Sequence, residues 1–162
     1  MVTRAWSHTR VILALIPWLL LPFGLYWWLE PVPVRVVYAA PRFTSVPTIS
    51  REEAERHAIT EATAGAIIYR YVEWCNDRPY LATMRRAWIG TAIVMHAPDY
   101  PSALADRVGC MSRPMPIEVP SVMQRAHFEY SHSLLVTVNW LRENEIRHPL
   151  IPLTITPAKA AE

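Results

Sequence analysis

Nineteen consecutive residues without a charged side chain, positions 11–29, limit what this 162-residue chain can fold into. As a helix they would measure about 28 Å, close to the roughly 30 Å hydrocarbon core of a bilayer. Pro17 and Pro22 interrupt the run, but proline is tolerated in membrane-spanning helices. Aromatic side chains are common at the two membrane–water interfaces of a span. Here they lie before the apolar run and near its C-terminal end: Trp6, Tyr26, Trp27 and Trp28. The sequence therefore predicts a transmembrane helix over residues 11–29.

Two other interpretations of this segment are less favoured. A buried core helix is rarely apolar on all sides. A cleaved signal peptide would use Arg4 and Arg10 as its basic region and residues 37–39 as its cleavage site. The apolar run is longer than a usual signal core, and that site lies well beyond its end. We therefore expect an uncleaved anchor.

The distribution of charge sets the expected orientation. The formal net charge is +2, and removing Arg4 and Arg10 from the sixteen basic residues leaves fourteen, equal to the fourteen acidic ones. Arg35 and Arg42 follow the span closely, so local basic residues do not decide the topology. The free N-terminal amine, the overall asymmetry and the cysteines favour a cytoplasmic N-terminus and a C-terminal domain on the periplasmic or extracellular side. The neutral domain offers no basic stripe for nucleic acid.

The chain divides into five expected segments. Residues 1–10 form a cytoplasmic tail, 11–29 the span, 30–48 a proline-containing spacer with the first strand, 49–157 the rest of the exported domain, and 158–162 a flexible tail. About 130 residues beyond the span suit one domain.

Alternating apolar residues dominate the exported part. The clearest pattern covers residues 127–141, and we expect further strands at 66–75, 87–97, 115–119 and 151–155. Ser50 and Glu53 form a capping box that opens one surface helix, predicted over residues 50–64 and ended by Gly65. The predicted fold is mainly β: an immunoglobulin-like β-sandwich with one short helix. The alternative is an α+β fold with the helix packed on one sheet.

Three short stretches carry a resemblance. They are Gly109-Cys110, the segment Val138-Asn139-Trp140-Leu141-Arg142, and Pro149-Leu150-Ile151-Pro152-Leu153. With the basic tail, single span and proline spacer, they make the chain resemble small phage-encoded single-span membrane proteins with an exported β-sandwich. The resemblance lies in the overall pattern and implies no functional residue.

Residues able to carry chemistry are few. Cys75 and Cys110 make no metal cluster or redox motif, and a structural disulfide is favoured over a catalytic thiol. His127 and His132 are five residues apart, so on one strand they face opposite sides, and no ligand spacing joins the six histidines. Glycine is too scarce for a phosphate loop. We expect no catalytic residue, no bound metal and no cofactor.

Aromatic and arginine residues remain for binding. Trp88 and Trp140 are expected in the core. The candidate interface comprises residues predicted in loops: Tyr80, Arg85, Arg86 and Tyr100. The expected function is a non-enzymatic, membrane-anchored structural or interaction protein, with membrane lipid and a protein, or a second copy, as partners. The alternatives are a subunit of a secretion or conjugation machine and a lysis-related membrane protein.

Overall fold

The computed structural model describes residues 8–101, 107–123 and 125–158, with the side chains of 8–11 and 99–101 left out. The expected roles of Trp6 and the Tyr100 side chain, and most of the 158–162 tail, lie outside this part of the chain. The elements, in order, are α1 (His8–Leu29), β1 (Val34–Ala39), β2 (Phe43–Thr44), α2 (Arg51–Arg56), β3 (Ala58–Ile59), β4 (Glu61–Thr63), β5 (Ile67–Asn76), β6 (Leu81–Ile89), β7 (Val94–Pro101), β8 (Gly109–Glu118), β9 (Ala126–Asn139), β10 (Arg142–Arg147) and β11 (Ile151–Thr156).

Helix α1 contains the apolar run. Its segment Ile12–Leu29 is long and apolar enough to cross a membrane, and none of that segment is buried against the rest of the protein. Pro17 and Pro22 both lie inside the helix.

The strands form two sheets. In the first sheet, β5 pairs with β8 on one side and with β1 and β2 on the other, and β3 extends β2. In the second, β9 pairs with β6, which continues to β7, and with β10 and β11 at different points along its length. β4 joins β11 in parallel. This confirms a mainly β fold with a short second helix.

Both sheets contribute to the same apolar clusters, as in a sandwich-like arrangement. One cluster joins Phe43 and Ile68 of the first sheet to Trp88, Tyr130 and neighbours of the second. Strand β9 shows why: its alternate residues are apolar, and one parity is buried from Phe128 to Val138. A strand whose apolar residues repeat every second position must bury that face.

Helix α2 is shorter than residues 50–64. The Ser50 hydroxyl accepts a hydrogen bond from the Glu53 backbone N–H at 3.2 Å, so the predicted cap is present. The helix ends at Arg56, however, because the following residues pair in the sheets as β3 and β4. This tertiary pairing overrides the helical spacing of the alanines. Gly65, with φ of +81°, serves the turn before β5 instead of ending a helix.

Two strand predictions were wrong in their bounds. Residues 87–97 are not one strand buried on both faces but parts of β6 and β7, joined by a turn in which the Gly90 N–H donates to Ile93 O at 2.7 Å. In each of the two strands the more buried residues largely alternate, at even positions in β6 and at odd positions in β7. Together they give a sequence that is apolar at both, which is also the pattern of one strand buried on both faces. Strand β8 is also longer than 115–119, because its prolines leave the pairing with β5 intact.

Candidate functional site

A groove crosses the outer face of the second sheet. It encloses about 580 Å³ and is lined by residues of β6, β7, β9 and β10: Arg85, Arg86, Ala87, His96, Ala97, Ser131, Ser133 and Glu145. The Ser133 hydroxyl donates to Glu145 Oε1 at 2.9 Å, which fixes one wall. Bonds from Arg147 and Ser133 lower the pKa of Glu145, so the groove contains a carboxylate beside its cations at neutral pH. We call this surface the β6–β7 groove.

A second cavity, of about 390 Å³, opens between the two sheets at the same edge. Trp88 and Tyr130 line it from one sheet, and Ile117 and Glu118 from the other. Arg86 borders both this inter-sheet cleft and the β6–β7 groove. The pairing of β6 with β7 shifts register between Met84 and Arg86. Such an irregularity redirects side chains, and it places Arg86 where the two cavities meet.

The candidate interface predicted from sequence is only partly assembled. Arg85 and Arg86 both line the β6–β7 groove, but they lie on strand β6, not in a loop. Tyr80, expected to be exposed, is only 7% exposed because its ring packs in the core with residues such as Val136. Burial raises the pKa of Tyr80 to about 12. The Tyr100 side chain lies outside the described part of the chain.

A basic cluster is buried between the sheets, and sequence reasoning missed it. Arg70 is 0% exposed, and its Nη2 donates to Pro149 O at 3.3 Å. The His132 and His148 rings stack at 4.5 Å, and Tyr130 lies 6.3 Å from His132. Within the described chain, Arg70 Nε and Nη1 and both ring nitrogens of His132 have no hydrogen-bond partner. A cavity of about 10 Å³, lined in part by both histidines, has room for about one water.

Burial governs the charges of this cluster. It lowers the pKa of His132 to about 2 and that of His148 to about 4, with nearby Arg70 adding to both shifts. Burial also lowers the pKa of Arg70 to about 10. At neutral pH the histidines are therefore neutral, and Arg70 keeps its charge. One residue in the sequence did indicate this buried cluster: His132 is the one polar residue among the alternate apolar positions of β9.

Cys75 and Cys110 occupy directly opposed positions on β5 and β8. Their sulfur atoms lie 1.99 Å apart, the distance of a disulfide.

His127, on the same strand as His132, is exposed, so the two histidines face opposite sides. Among the residues that the structure describes, no group of three or more His, Cys, Asp or Glu could hold a metal ion.

The end of α1 is fastened to the turn between β9 and β10. Asn139 Nδ2 donates to Trp27 O and to Glu30 Oε2, each at 3.0 Å. Arg142 donates to the backbone oxygens of Trp28 and Glu30, and Arg78 donates to the Glu30 carboxylate. The last carbonyls of a helix lack intrahelical partners, so these donors satisfy them. We call this set of bonds the helix clamp.

Aromatic packing accompanies the helix clamp. The Trp27 and Trp140 rings meet edge to face, with centroids 4.8 Å apart. Trp88 is buried as predicted, but the prediction of a core position for Trp140 was wrong, since it is 73% exposed. Strand β9 ends at Asn139, so the chain turns before Trp140 could become the next buried residue of the alternating pattern. Tyr26 and Trp28 are also exposed on the helix surface.

Comparison with known proteins adds little. No protein-family model matches the chain, and no curated protein matches its sequence. Among solved structures, the crystal structure of the C-terminal domain of wzt is similar, with a TM-score of 0.48 and 8% identity, over 80% of this chain and 77% of that chain. A likeness at this level assigns neither a fold family nor a function to this chain.

Proposed function

We propose that the chain is a non-enzymatic, membrane-anchored interaction protein. Helix α1 crosses the bilayer once, and the β domain binds a protein partner at the surface on the far side. The observation that carries the proposal is that no residue of the apolar segment Ile12–Leu29 is buried inside the protein. Each apolar side chain left in water forgoes roughly 1.5–3 kcal/mol of burial, so such a helix requires an apolar surrounding. A bilayer supplies it over the right length.

The proposed orientation puts the N-terminus in the cytoplasm and the domain in an oxidising compartment. Support comes from the paired sulfur atoms of Cys75 and Cys110, because disulfides persist mainly outside the cytosol. The charge distribution described above favours the same orientation. The proposal includes an immunoglobulin-like sandwich, supported by the apolar clusters that the two sheets share.

The β6–β7 groove is the proposed binding surface. Its exposed Arg85, with Arg86 beneath, suits a partner segment that carries carboxylates, since guanidinium groups bind carboxylates in paired hydrogen bonds. The groove is built on paired strands, so its side chains are held in place before binding. The inter-sheet cleft at Arg86 would accept an apolar side chain next to such a segment.

Anchoring and orientation are tested together. The full chain, expressed in bacterial membranes, should remain in the pellet after an alkaline carbonate wash. A reporter that is active only outside the cytoplasm, fused after residue 162, should be active. Release of the chain by the wash would overturn the anchor, and a reporter active only inside would overturn the orientation.

Binding is tested by photo-cross-linking in the membranes of the cell that encodes the chain. A photoreactive residue replacing His96, which is exposed and lines the same groove, leaves both arginines in place and should give a discrete cross-linked product. The same residue replacing Arg113, exposed on strand β8 of the other sheet, is the matched control. Adding Arg86→Ala should reduce the product without changing the melting temperature much, whereas Val136→Ala, in the core, should lower stability by roughly 1–3 kcal/mol. Equal products at both positions would exclude the β6–β7 groove.

A further inference from the structure

The turn between β9 and β10 carries two exposed apolar residues at its tip. Trp140 is 73% exposed and Leu141 is 65% exposed. Leu81 lies at the same end of the second sheet, since it pairs with Thr137 near the end of β9, and it is 75% exposed. We call these three exposed apolar side chains the hairpin patch. Nothing in the described domain covers it.

The hairpin patch has a fixed position relative to α1. Trp140 packs on Trp27, which belongs to the apolar segment Ile12–Leu29. Asn139 holds both partners: its Oδ1 accepts from the Leu141 N–H at 3.1 Å, and its Nδ2 donates to Trp27 O. The tip therefore lies level with the last turn of the helix and cannot move away from it without breaking the helix clamp.

We propose that the hairpin patch inserts into the interfacial layer of the membrane that α1 crosses, so that the domain contacts lipid at a second point. The inference rests on the proposed anchoring of α1. If the last turn of the helix lies at the boundary between acyl chains and headgroups, residues level with it lie there too. Tryptophan and leucine are the side chains that interfacial segments bury, to a depth of roughly 5–10 Å.

The helix clamp explains how charged groups tolerate this location. Glu30, Arg78 and Arg142 pair with one another or with helix carbonyls next to the hairpin patch. Bonds from Asn139 and Arg78 lower the pKa of Glu30, so the acid stays ionised beside its cations. Paired charges cost less than isolated ones at a membrane boundary. The domain thus rests on the bilayer in one orientation, with the β6–β7 groove held at a set height.

The experiment measures the depth of a label at position 141. Leu141→Cys in the full chain is coupled to an environment-sensitive nitrobenzoxadiazole dye; the native cysteines are bridged and stay unlabelled. The protein is reconstituted in vesicles of phosphatidylcholine and phosphatidylglycerol, with or without phospholipids that bear a nitroxide at the top of the acyl chain. The control is Ile67→Cys, exposed at the opposite end of β5, roughly 30 Å further from the helix.

The dye at position 141 should emit at shorter wavelength and lose most of its intensity to the nitroxide lipids, whereas the dye at position 67 should be unaffected. An alkaline wash of the same vesicles reports on α1 independently. If the chain stays in the vesicles but the two dyes behave alike, the insertion of the hairpin patch is refuted and the anchor stands. If the wash releases the chain, both proposals are refuted.

Discussion

Acidification should destabilise the domain through His132 and His148. Both imidazoles are neutral in the folded protein, where burial lowers their pKa values from 6.5 to about 2 and about 4. Charge on His148, on Arg70 of β5 and on Arg86 of β6 opposes the protonation of His132 further and so also lowers its pKa. In the unfolded chain both histidines regain ordinary pKa values. The unfolded state therefore binds more protons below pH 6.5, and stability falls as the pH decreases.

The magnitude follows from the same pKa values. Each histidine changes the free energy of unfolding by about 1.4 kcal/mol per pH unit between the unfolded and folded pKa values. From pH 6.5 to pH 5 this gives roughly 2 kcal/mol per histidine, so at most about 4 kcal/mol for the pair. Glu30, Glu73 and Glu145 have pKa values lowered from 4.5, so the stability they contribute is lost only at lower pH.

The assay is urea unfolding of the full chain in detergent at several pH values from 8 to 5, followed by the fluorescence of buried Trp74 and Trp88. His148→Asn removes one titrating group and should reduce the loss of stability between pH 7 and pH 5 by about half. His127→Asn, which removes an exposed histidine from the same strand as His132, should leave that loss unchanged. A free energy of unfolding that stays constant from pH 7 to pH 5 would refute the assignment of neutral, buried imidazoles.

Three further changes have expected outcomes. Cys110→Ser should lower the melting temperature, since bridging a loop of about 35 residues stabilises by roughly 4 kcal/mol in the chain-entropy model; both native cysteines should resist alkylation until reduced. Gly90→Ala should cost roughly 1–3 kcal/mol in urea unfolding, because a Cβ there would meet the buried ring of Phe128 at 2.8 Å. Arg70→Met should leave stability unchanged or raise it, since an apolar side chain of similar length removes the cost of a buried charge; a strong loss by the same assay would show that the hydrogen bond from Arg70 to Pro149 O outweighs that cost.

The sequence predicted features that a short stretch decides by itself. The apolar run of α1, the cap at Ser50 and the alternation along β9 each follow from a local pattern, and each is present. The opposed cysteines were also expected, although pairing was argued only from the compartment. These features needed no knowledge of which strands would lie side by side.

Features that depend on neighbours distant in sequence were not predicted. Helix α2 ends where β3 and β4 begin to pair with other strands, and the sequence of residues 50–64 does not indicate this pairing. Tyr80 was expected to be exposed but is buried, and Trp140 was expected in the core but is exposed, because burial near a strand end depends on where the chain turns. The buried Arg70 and the bonds from Arg142 to α1 likewise join residues far apart along the chain.

The short connection between α1 and β1 limits the reach of this protein. Four residues, 30–33, separate the helix from the first strand, and fully extended they would span at most about 14 Å. Two of the four are prolines, which stiffen a linker. The helix clamp restricts the connection further, because Arg142 donates to the backbone oxygen of Glu30. Under the proposed anchoring, a domain held this closely would stay within about one domain diameter of the lipid. Its proposed partner would then have to approach that surface, since the short connection does not let the domain extend across the compartment.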